Sequence, residues 1–248
     1  MAKILKIMLI MTVIAGVAGA IYAWVGAQRQ DGHGLTLVEV ERGDITDTAL
    51  AVGRNGRLEQ LRGYGRLDRD TDSRAVTDSS IYDLASLTKV VGTTTALMSL
   101  VEEGRVALNA PVSAYLPWFT GGGKAGVTVG QLLRHRGGLP PFRRWWREHE
   151  GRDEYRSRLA DLELAYPAGD STVYSDLGFV TLGFLMEAVT DRPLDDYLEE
   201  EVYGPLGMAE TGFRPASSLL DRIAPTEVDT VLRDEHVHGV VHDENAYA

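Results

Sequence analysis

The most regular hydrophobic pattern of this chain runs from Leu84 to Val101, where apolar residues recur at helical spacing. Gly104 follows at the place where a helix C-terminus favours glycine, so the pattern predicts a helix that ends there. Most sides of this helix are apolar, which is typical of a helix buried inside a protein. A second long apolar helix is predicted from Leu177 to about Thr190.

A hairpin is predicted ahead of the first helix. β-prone residues occupy Thr48–Gly53 and Leu58–Gly65, and Asn55 and Gly56 lie in the short turn between them. Asn-Gly between two such runs is the strongest short-range hairpin signal. Elsewhere the pattern predicts short helices at 110–119 and 127–135, and an amphipathic surface helix or lid at 142–158. The segments 193–202 and 205–213 are expected to complete the ordered part of the chain.

The N-terminus has a different character from the rest. Lys3 and Lys6 precede an uncharged apolar run, Ile7–Ala27, which is long enough to cross a bilayer as a helix with the lysines on the cytoplasmic side. An uncleaved membrane anchor fits this length and the interfacial Tyr22 and Trp24, whereas a signal peptide would be cut after a small-residue site. Either interpretation predicts that the remainder lies on the periplasmic or extracellular side, or is secreted.

Composition adds limits on function. The 248 residues are 44% hydrophobic and 25% charged, as in a globular protein. The net charge of −11 argues against nucleic acid as a partner, and the absence of cysteine excludes disulfides and a thiol nucleophile. The predicted organisation is an anchor or signal at 1–28, a polar linker at 29–44 and one folded domain at 45–248.

Ser86 and Lys89 are the first candidates for chemistry. They lie three residues apart near the start of the predicted helix, a spacing that places two side chains on one face with Cβ atoms roughly 5–6 Å apart. A serine hydroxyl needs a neighbouring base, and a desolvated lysine with a lowered pKa can act as one. The helix N-terminus also favours developing negative charge. The spacing is common, however, and a capped helix with a surface lysine is the competing interpretation.

Three further segments, together with Ser86–Lys89, form a set of four motifs. In chain order the four are Ser86–Lys89, Leu132–Pro140, Tyr174–Asp176 and Pro205–Met208. Together they resemble the serine β-lactamase-related proteins, which include class C β-lactamases, D-alanyl-D-alanine carboxypeptidases of the penicillin-binding-protein group and related esterases. The resemblance runs from about Thr48 to the end of the chain. It implies an α+β, β-lactamase/transpeptidase-like fold in which a helical cluster packs on an antiparallel sheet.

The resemblance also implies roles. Ser86 would be the nucleophile that attacks an amide, ester or β-lactam carbonyl, with its backbone N–H as half of an oxyanion hole and Lys89 as its activating partner. Tyr174 would be general base and then acid, since a lysine cation beside it stabilises the phenolate. Asp176, at a substrate-binding position, replaces the usual asparagine. A carboxylate cannot donate to a substrate carbonyl, so Asp176 would pair with Lys89 or with an incoming cation. The family implies no cofactor and no metal.

His135 is predicted to brace a loop rather than to act in catalysis. The tail carries three histidines and neighbouring acids that superficially resemble metal ligands, but no regular spacing organises them, so no metal site is predicted. This set comprises His236, His238, His242, Asp243 and Glu244.

The last residues of the chain concern a motif that the resemblance links to activity. His242–Ala246 resembles a segment that, in carboxypeptidase-like members, precedes a glycine-rich His-x-Gly motif, and the chain ends at Ala248 before it. The expectation is therefore a C-terminally truncated domain that lacks the final strands and helix.

Several functions stay open. The leading hypothesis is a serine hydrolase acting on a small-molecule or peptidoglycan-peptide substrate: a carboxypeptidase first, then an esterase, then a β-lactamase. The alternative is a penicillin-binding sensor that is acylated without turnover. An α/β-hydrolase is disfavoured because no Gly-x-Ser-x-Gly elbow surrounds Ser86. The oligomeric state is not predicted.

Overall fold

A computed structural model describes residues 47–68 and 72–248. The predicted anchor or signal and the linker lie outside these ranges. Across both ranges, no helix combines the length and apolar character needed to span a bilayer. The described residues divide into two compact units: one contains those up to Ile81 together with Arg222–Ala224, and the other contains Tyr82–Asp221 and Pro225–Ala248.

The first unit contains the predicted hairpin. Strands β1 (Asp47–Arg54) and β2 (Arg57–Gly65) pair in antiparallel fashion. Asn55 and Gly56 form the turn with φ values of 52° and 74°. A two-residue turn with both central residues at positive φ matches the twist of the flanking strands, and this explains the Asn-Gly pair. The hairpin prediction is confirmed.

The second unit is mainly helical, with one short pair of strands, so the chain as a whole has the predicted α+β class. Its α-helices are α1 (Thr95–Glu102), α2 (Val129–Leu133), α3 (Arg152–Asp161), α4 (Asp176–Thr190), α5 (Leu194–Leu198) and α6 (Glu244–Tyr247). Strands β3 (Val228–Asp229) and β4 (Glu235–His236) form the antiparallel pair. The π-helical segments are Lys89–Thr94 and Glu199–Tyr203, and 3₁₀ turns occupy Ala85–Leu87, Val112–Ala114, Lys124–Gly126, Trp145–Arg147 and Ser217–Arg222.

The core of this unit lies around α1 and α4. Their inward faces are fully buried and form one hydrophobic cluster with side chains from α2 and from the loops. Each buried aliphatic side chain contributes roughly 1.5–3 kcal/mol relative to an exposed one. The central members are Leu97, Leu100, Leu182, Leu185 and Met186. The long helix predicted from Leu177 is thus confirmed, beginning one residue earlier.

The helix predicted from Leu84 is buried only in its C-terminal half. Its first turn is an exposed 3₁₀ turn, and a π-helical segment joins that turn to α1. The Thr94 and Thr95 hydroxyls donate to the carbonyls of Lys89 and Val90, five residues back, at 2.7 and 2.9 Å. These bonds accompany the wider π geometry, a feature often found near functional sites. Gly104 follows the helix with φ of 74°, as predicted.

Two predicted helices are wrong in their extent. Only Val112–Ala114 of the 110–119 segment is helical, between Pro111 and Pro117. The 142–158 segment is split into a 3₁₀ turn and α3. Gly151, with φ of 83°, interrupts it because that left-handed conformation cannot continue a right-handed helix.

Candidate active site

Ser86 lies in the exposed 3₁₀ turn that opens the helix. The residue before it, Ala85, has φ of 43°, an unusual backbone conformation for a residue with a Cβ atom. Lys89 Nζ donates a hydrogen bond of 3.0 Å to Ser86 Oγ. The three-residue spacing therefore brings these side chains onto one face.

Lys89 also contacts residues from a distant part of the chain. Its Nζ lies 2.8 Å from Asp176 Oδ1 and 4.9 Å from the centroid of the Tyr174 ring. The Lys89 side chain is 15% exposed, whereas that of Asp176 is 33% exposed. The four residues singled out from the sequence thus share one cluster, with Lys89 at its centre.

The charge of Lys89 follows from these contacts. Burial lowers the pKa of Lys89, but its hydrogen bonds with Asp176 and Tyr174 and their charges outweigh burial and raise that pKa above the ordinary value of 10.5. Lys89 is therefore a cation at neutral pH. The expectation of a lysine with a lowered pKa is wrong because the Asp176 carboxylate and Tyr174 stabilise the ammonium form more than burial destabilises it.

Local hydrogen bonds fix the turn that carries Tyr174 and Asp176. Ser175 is the N-cap of α4, and its Oγ accepts from the Gly178 N–H at 3.2 Å while donating to the Pro140 carbonyl at 2.7 Å. Serine at an N-cap satisfies an otherwise orphan N–H group. Tyr174, which precedes the cap, is 50% exposed.

His135 braces the same turn from the other side, as predicted. It has φ of 55°, its carbonyl accepts from the Val173 N–H at 2.9 Å, and its Nδ1 accepts from the Ser175 N–H at 3.1 Å. Its ring lies 4.6 Å from that of Tyr174, centroid to centroid. Burial, followed by the charge of Lys89, lowers the pKa of His135, and Asp176 opposes this in part. The neutral ring with a free Nδ1 lone pair matches the hydrogen bond that it accepts.

A sequence comparison identifies the family. Residues 34–247 match the sequence profile of the family described as Beta-lactamase. The chain belongs to the Beta-lactamase family. The α+β fold and the resemblance predicted from the four motifs are thereby confirmed.

Two curated relatives share about a third of their aligned residues with the chain. A protein of Escherichia coli (strain K12), named provisionally as a D-alanyl-D-alanine carboxypeptidase, is 32% identical, with 69% of this chain and 45% of that protein covered. An N-acetylmuramyl-L-alanine amidase of Bacillus subtilis (strain 168) is also 32% identical, with 80% and 52% covered. The chain spans about half the length of these relatives.

The solved structures agree on the fold. A class C β-lactamase from Rhodobacter sphaeroides superposes with a TM-score of 0.63 at 25% identity, covering 79% of this chain and 57% of that one. This similarity places the helices and the hairpin within the β-lactamase fold.

Two features of the site were not predicted from the sequence. One is the ring contact of His135 with Tyr174. The other is Asp83, whose carboxylate accepts from the N–H groups of Ala85 and His242. An aspartate three positions before Ser86 could have indicated the first of its bonds, because aspartate often bonds the backbone N–H two residues on.

The tail histidines make pairwise contacts. His242 Nε2 lies 2.8 Å from Glu227 Oε1, and His238 Nε2 lies 3.0 Å from the carbonyl oxygen of Leu220. Within the described ranges, no group of three histidine or acidic side chains converges in a way that could hold a metal ion.

Proposed function

We propose that this Beta-lactamase family chain carries the acylation site of a serine hydrolase that cleaves an amide or ester bond. The observation that carries the proposal is the cluster around Lys89, whose Nζ lies 3.0 Å from Ser86 Oγ and 2.8 Å from Asp176 Oδ1. A cation that contacts a serine hydroxyl stabilises the alkoxide and the tetrahedral intermediate derived from it.

The proposed reaction starts at Ser86. Its Oγ attacks the carbonyl carbon while its proton passes to the phenolate oxygen of deprotonated Tyr174, and the backbone N–H of Ser86 contributes to the oxyanion hole. Tyr174 then returns the proton to the leaving nitrogen or oxygen as the bond to carbon breaks. Water hydrolyses the resulting ester and regenerates the Ser86 hydroxyl.

The role assigned to Lys89 is electrostatic. With its raised pKa it already carries a proton, so it does not take one from Ser86 in the resting site. It donates to Ser86 Oγ and stabilises negative charge on Ser86 and Tyr174. Asp176 holds Lys89 in this position.

The proposed substrate class is a cell-wall peptide ending in D-alanyl-D-alanine. The names of the Escherichia coli and Bacillus subtilis relatives both refer to amide bonds of cell-wall peptides, which supports this choice. Such a substrate lies outside the cytoplasmic membrane, in keeping with the predicted N-terminal anchor or signal. Cell fractionation with protease accessibility would test that location: a domain protected inside the cytoplasm would contradict it.

Labelling and turnover test the function together. The protein is exposed to a fluorophosphonate and to a fluorescent penicillin, the label is mapped by mass spectrometry, and turnover is measured with three substrates: a D-Ala-D-Ala peptide, an aryl ester and a cephalosporin. We expect the label on Ser86, none on Ser86→Ala, and the fastest turnover with the peptide. A label on another residue would refute the nucleophile, and faster turnover of the ester or cephalosporin would shift the substrate class.

A second candidate is a sensor that is acylated but not deacylated. It is favoured by the pairing of Lys89 with Asp176, because a lysine held as a cation cannot act as the base that activates the hydrolytic water. A stoichiometric burst of acylation without steady turnover would identify the sensor.

A further inference from the structure

Asp83 is an exposed aspartate that is absent from the reaction described above. Its Oδ1 accepts from the Ala85 N–H at 2.7 Å, and its Oδ2 accepts from the His242 N–H at 3.2 Å. One carboxylate therefore joins the backbone just before Ser86 to the C-terminal segment of the chain.

The first of these bonds supports an unfavourable backbone conformation. Ala85 has φ of 43°, where steric repulsion disfavours any residue with a Cβ atom. Such conformations persist when surrounding contacts hold them, and they are concentrated at functional sites. Because Ser86 is the next residue, the Ala85 backbone sets the direction in which the Ser86 hydroxyl points toward Lys89.

The second bond depends on a buried arginine. Arg233 donates to the carbonyls of Val241 and His242 at 2.8 and 2.9 Å, and its side chain is 2% exposed. Its guanidinium group also lies 3.3 Å from Asp229 and 4.2 Å from the centre of the Tyr247 ring. The rigid, planar guanidinium group holds both carbonyls in a fixed relative geometry, whereas the ammonium group of a lysine is a flexible point charge that would hold them less precisely. Arg233 thereby fixes the backbone from which His242 donates to Asp83.

We propose that Asp83 is a positioning residue through which the C-terminal segment holds the Ser86 turn in its reactive geometry. The inference rests on the proposed function in one respect, the role of Ser86 as nucleophile. Without Asp83, the Ala85 backbone relaxes toward ordinary values and the Ser86 hydroxyl turns away from Lys89. Loosening the C-terminal segment acts in the same direction.

A purely local turn would behave differently. In that case the Asp83–Ala85 bond would suffice, and nothing done to Arg233 would reach Ser86. Arg233 is therefore the informative second position, since it contacts neither Ser86 nor Lys89.

The test combines two measurements on the full chain: the saturation kinetics of fluorophosphonate labelling at Ser86, and hydrogen exchange of the Ala85 and His242 amides. The variants are Asp83→Ala, Asp83→Asn and Arg233→Lys. Glu227→Gln is the matched control, because it removes the negative charge beside the His242 ring and leaves the His242 N–H bond to Asp83 in place.

We expect Asp83→Ala to lower the maximal labelling rate constant roughly ten- to a hundredfold, since small displacements of reacting groups have effects of that size. The half-saturating probe concentration should stay nearly constant, and both amides should exchange faster. Asp83→Asn retains one acceptor, so it should protect the Ala85 amide better than Asp83→Ala does. Arg233→Lys should speed exchange at His242 and Ala85 and slow labelling, whereas Glu227→Gln should do neither.

Wild-type labelling rates in Asp83→Ala would overturn the positioning role. Unchanged rates and exchange at Ala85 in Arg233→Lys would overturn the dependence on the C-terminal segment. If the unaltered protein shows no label on Ser86, the proposed function fails instead. Amide exchange then still decides whether Asp83 and Arg233 hold the Ala85 backbone.

Discussion

Two lysines of this chain lie in the same unit and differ in their surroundings. Lys89 touches Ser86 and Asp176, and its side chain is 15% exposed. Lys124 is fully buried, and its Nζ donates to the carbonyl oxygens of Ala160 and Leu162, the first of them at 3.1 Å. Burial lowers the pKa of Lys124, partly opposed by the charges of two acidic residues, whereas the pKa of Lys89 is raised.

The contrast shows that the partner of a half-buried or buried lysine can decide whether its pKa lies above or below the ordinary value. Carbonyl groups accept hydrogen bonds from Lys124 but bring no full charge to it. Asp176 brings a carboxylate to 2.8 Å from Lys89, and its attraction offsets the loss of water around the ammonium group. Lys124 therefore stabilises the end of α3, because the last turn of that helix and the residue after it supply its two carbonyl acceptors. Lys89 belongs to the candidate active site.

The largest expected effect comes from removing the Lys89 charge. Lys89→Met should slow acylation of Ser86 about a hundred- to a thousandfold, the usual loss when a donor to the developing charge is removed. The rate constant of fluorophosphonate labelling measures this. Lys124→Met is the matched control and should label at the wild-type rate if it folds. Equal labelling rates in the Lys89 and Lys124 variants would contradict a specific role of Lys89 in acylation.

Lys124→Met should instead act on stability. It leaves the buried carbonyls of Ala160 and Leu162 without their donor, so we expect the free energy of unfolding to fall by about 1–3 kcal/mol. Urea denaturation monitored by circular dichroism measures the change. An unchanged free energy of unfolding would mean that the removal of a buried charge compensates for the lost hydrogen bonds.

Asp176→Asn tests the cause of the raised pKa. An amide keeps the shape but removes the charge, so burial should then dominate and the pKa of Lys89 should fall below its value in the unaltered protein. Because the ammonium form is the active one in this account, the alkaline limb of the labelling rate should move to lower pH. Asp195→Asn, which alters an exposed ion pair with Arg214, should leave that limb in place.

His135 gives the smallest expected effect. Its neutral form is favoured in the folded state because its pKa lies below the ordinary 6.5. The corresponding contribution to stability is complete above about pH 6.5 and is lost as pH falls through the folded-state pKa. Lys89, Asp176, Tyr174 and Phe179 are the groups that face its ring.

Urea denaturation between pH 7 and pH 5 measures this loss, and His135→Asn should flatten it because asparagine tolerates the positive φ and has no titrating group. His236→Asn is a control in the tail. An unchanged pH dependence in His135→Asn would show that other groups account for it.

The sequence predicted much of this arrangement because some of its signals are local. Asn55-Gly56 specifies the hairpin turn, and the apolar period from Leu177 specifies α4. The Ser86 to Lys89 spacing specifies a shared face. Their physical causes lie within a few residues of each other, so a single chain is enough to infer them.

Other features depend on residues far apart in the chain. The pKa of Lys89 is raised by Asp176 and Tyr174. The Ala85 N–H donates to Asp83, which also accepts from the N–H of His242. The segment 142–158 is predicted as one surface helix or lid, whereas the structure divides it at Gly151 into a 3₁₀ turn and α3. Gly151 has a positive φ, and its N–H donates to the carbonyl of Ala248, a residue far along the chain, at 2.9 Å.

The most direct test of the central claim is a pH titration of the lysine side chains by NMR with ¹³Cε-labelled lysine. The chain has four lysines, Lys3, Lys6, Lys89 and Lys124, so Lys89→Arg and Lys124→Arg variants suffice to assign the two signals. The account predicts that Lys89 titrates above 10.5 and Lys124 below it, and that Asp176→Asn lowers the Lys89 value. A Lys89 pKa below 10.5 in the unaltered protein would contradict the account and would restore Lys89 as a candidate base for Ser86.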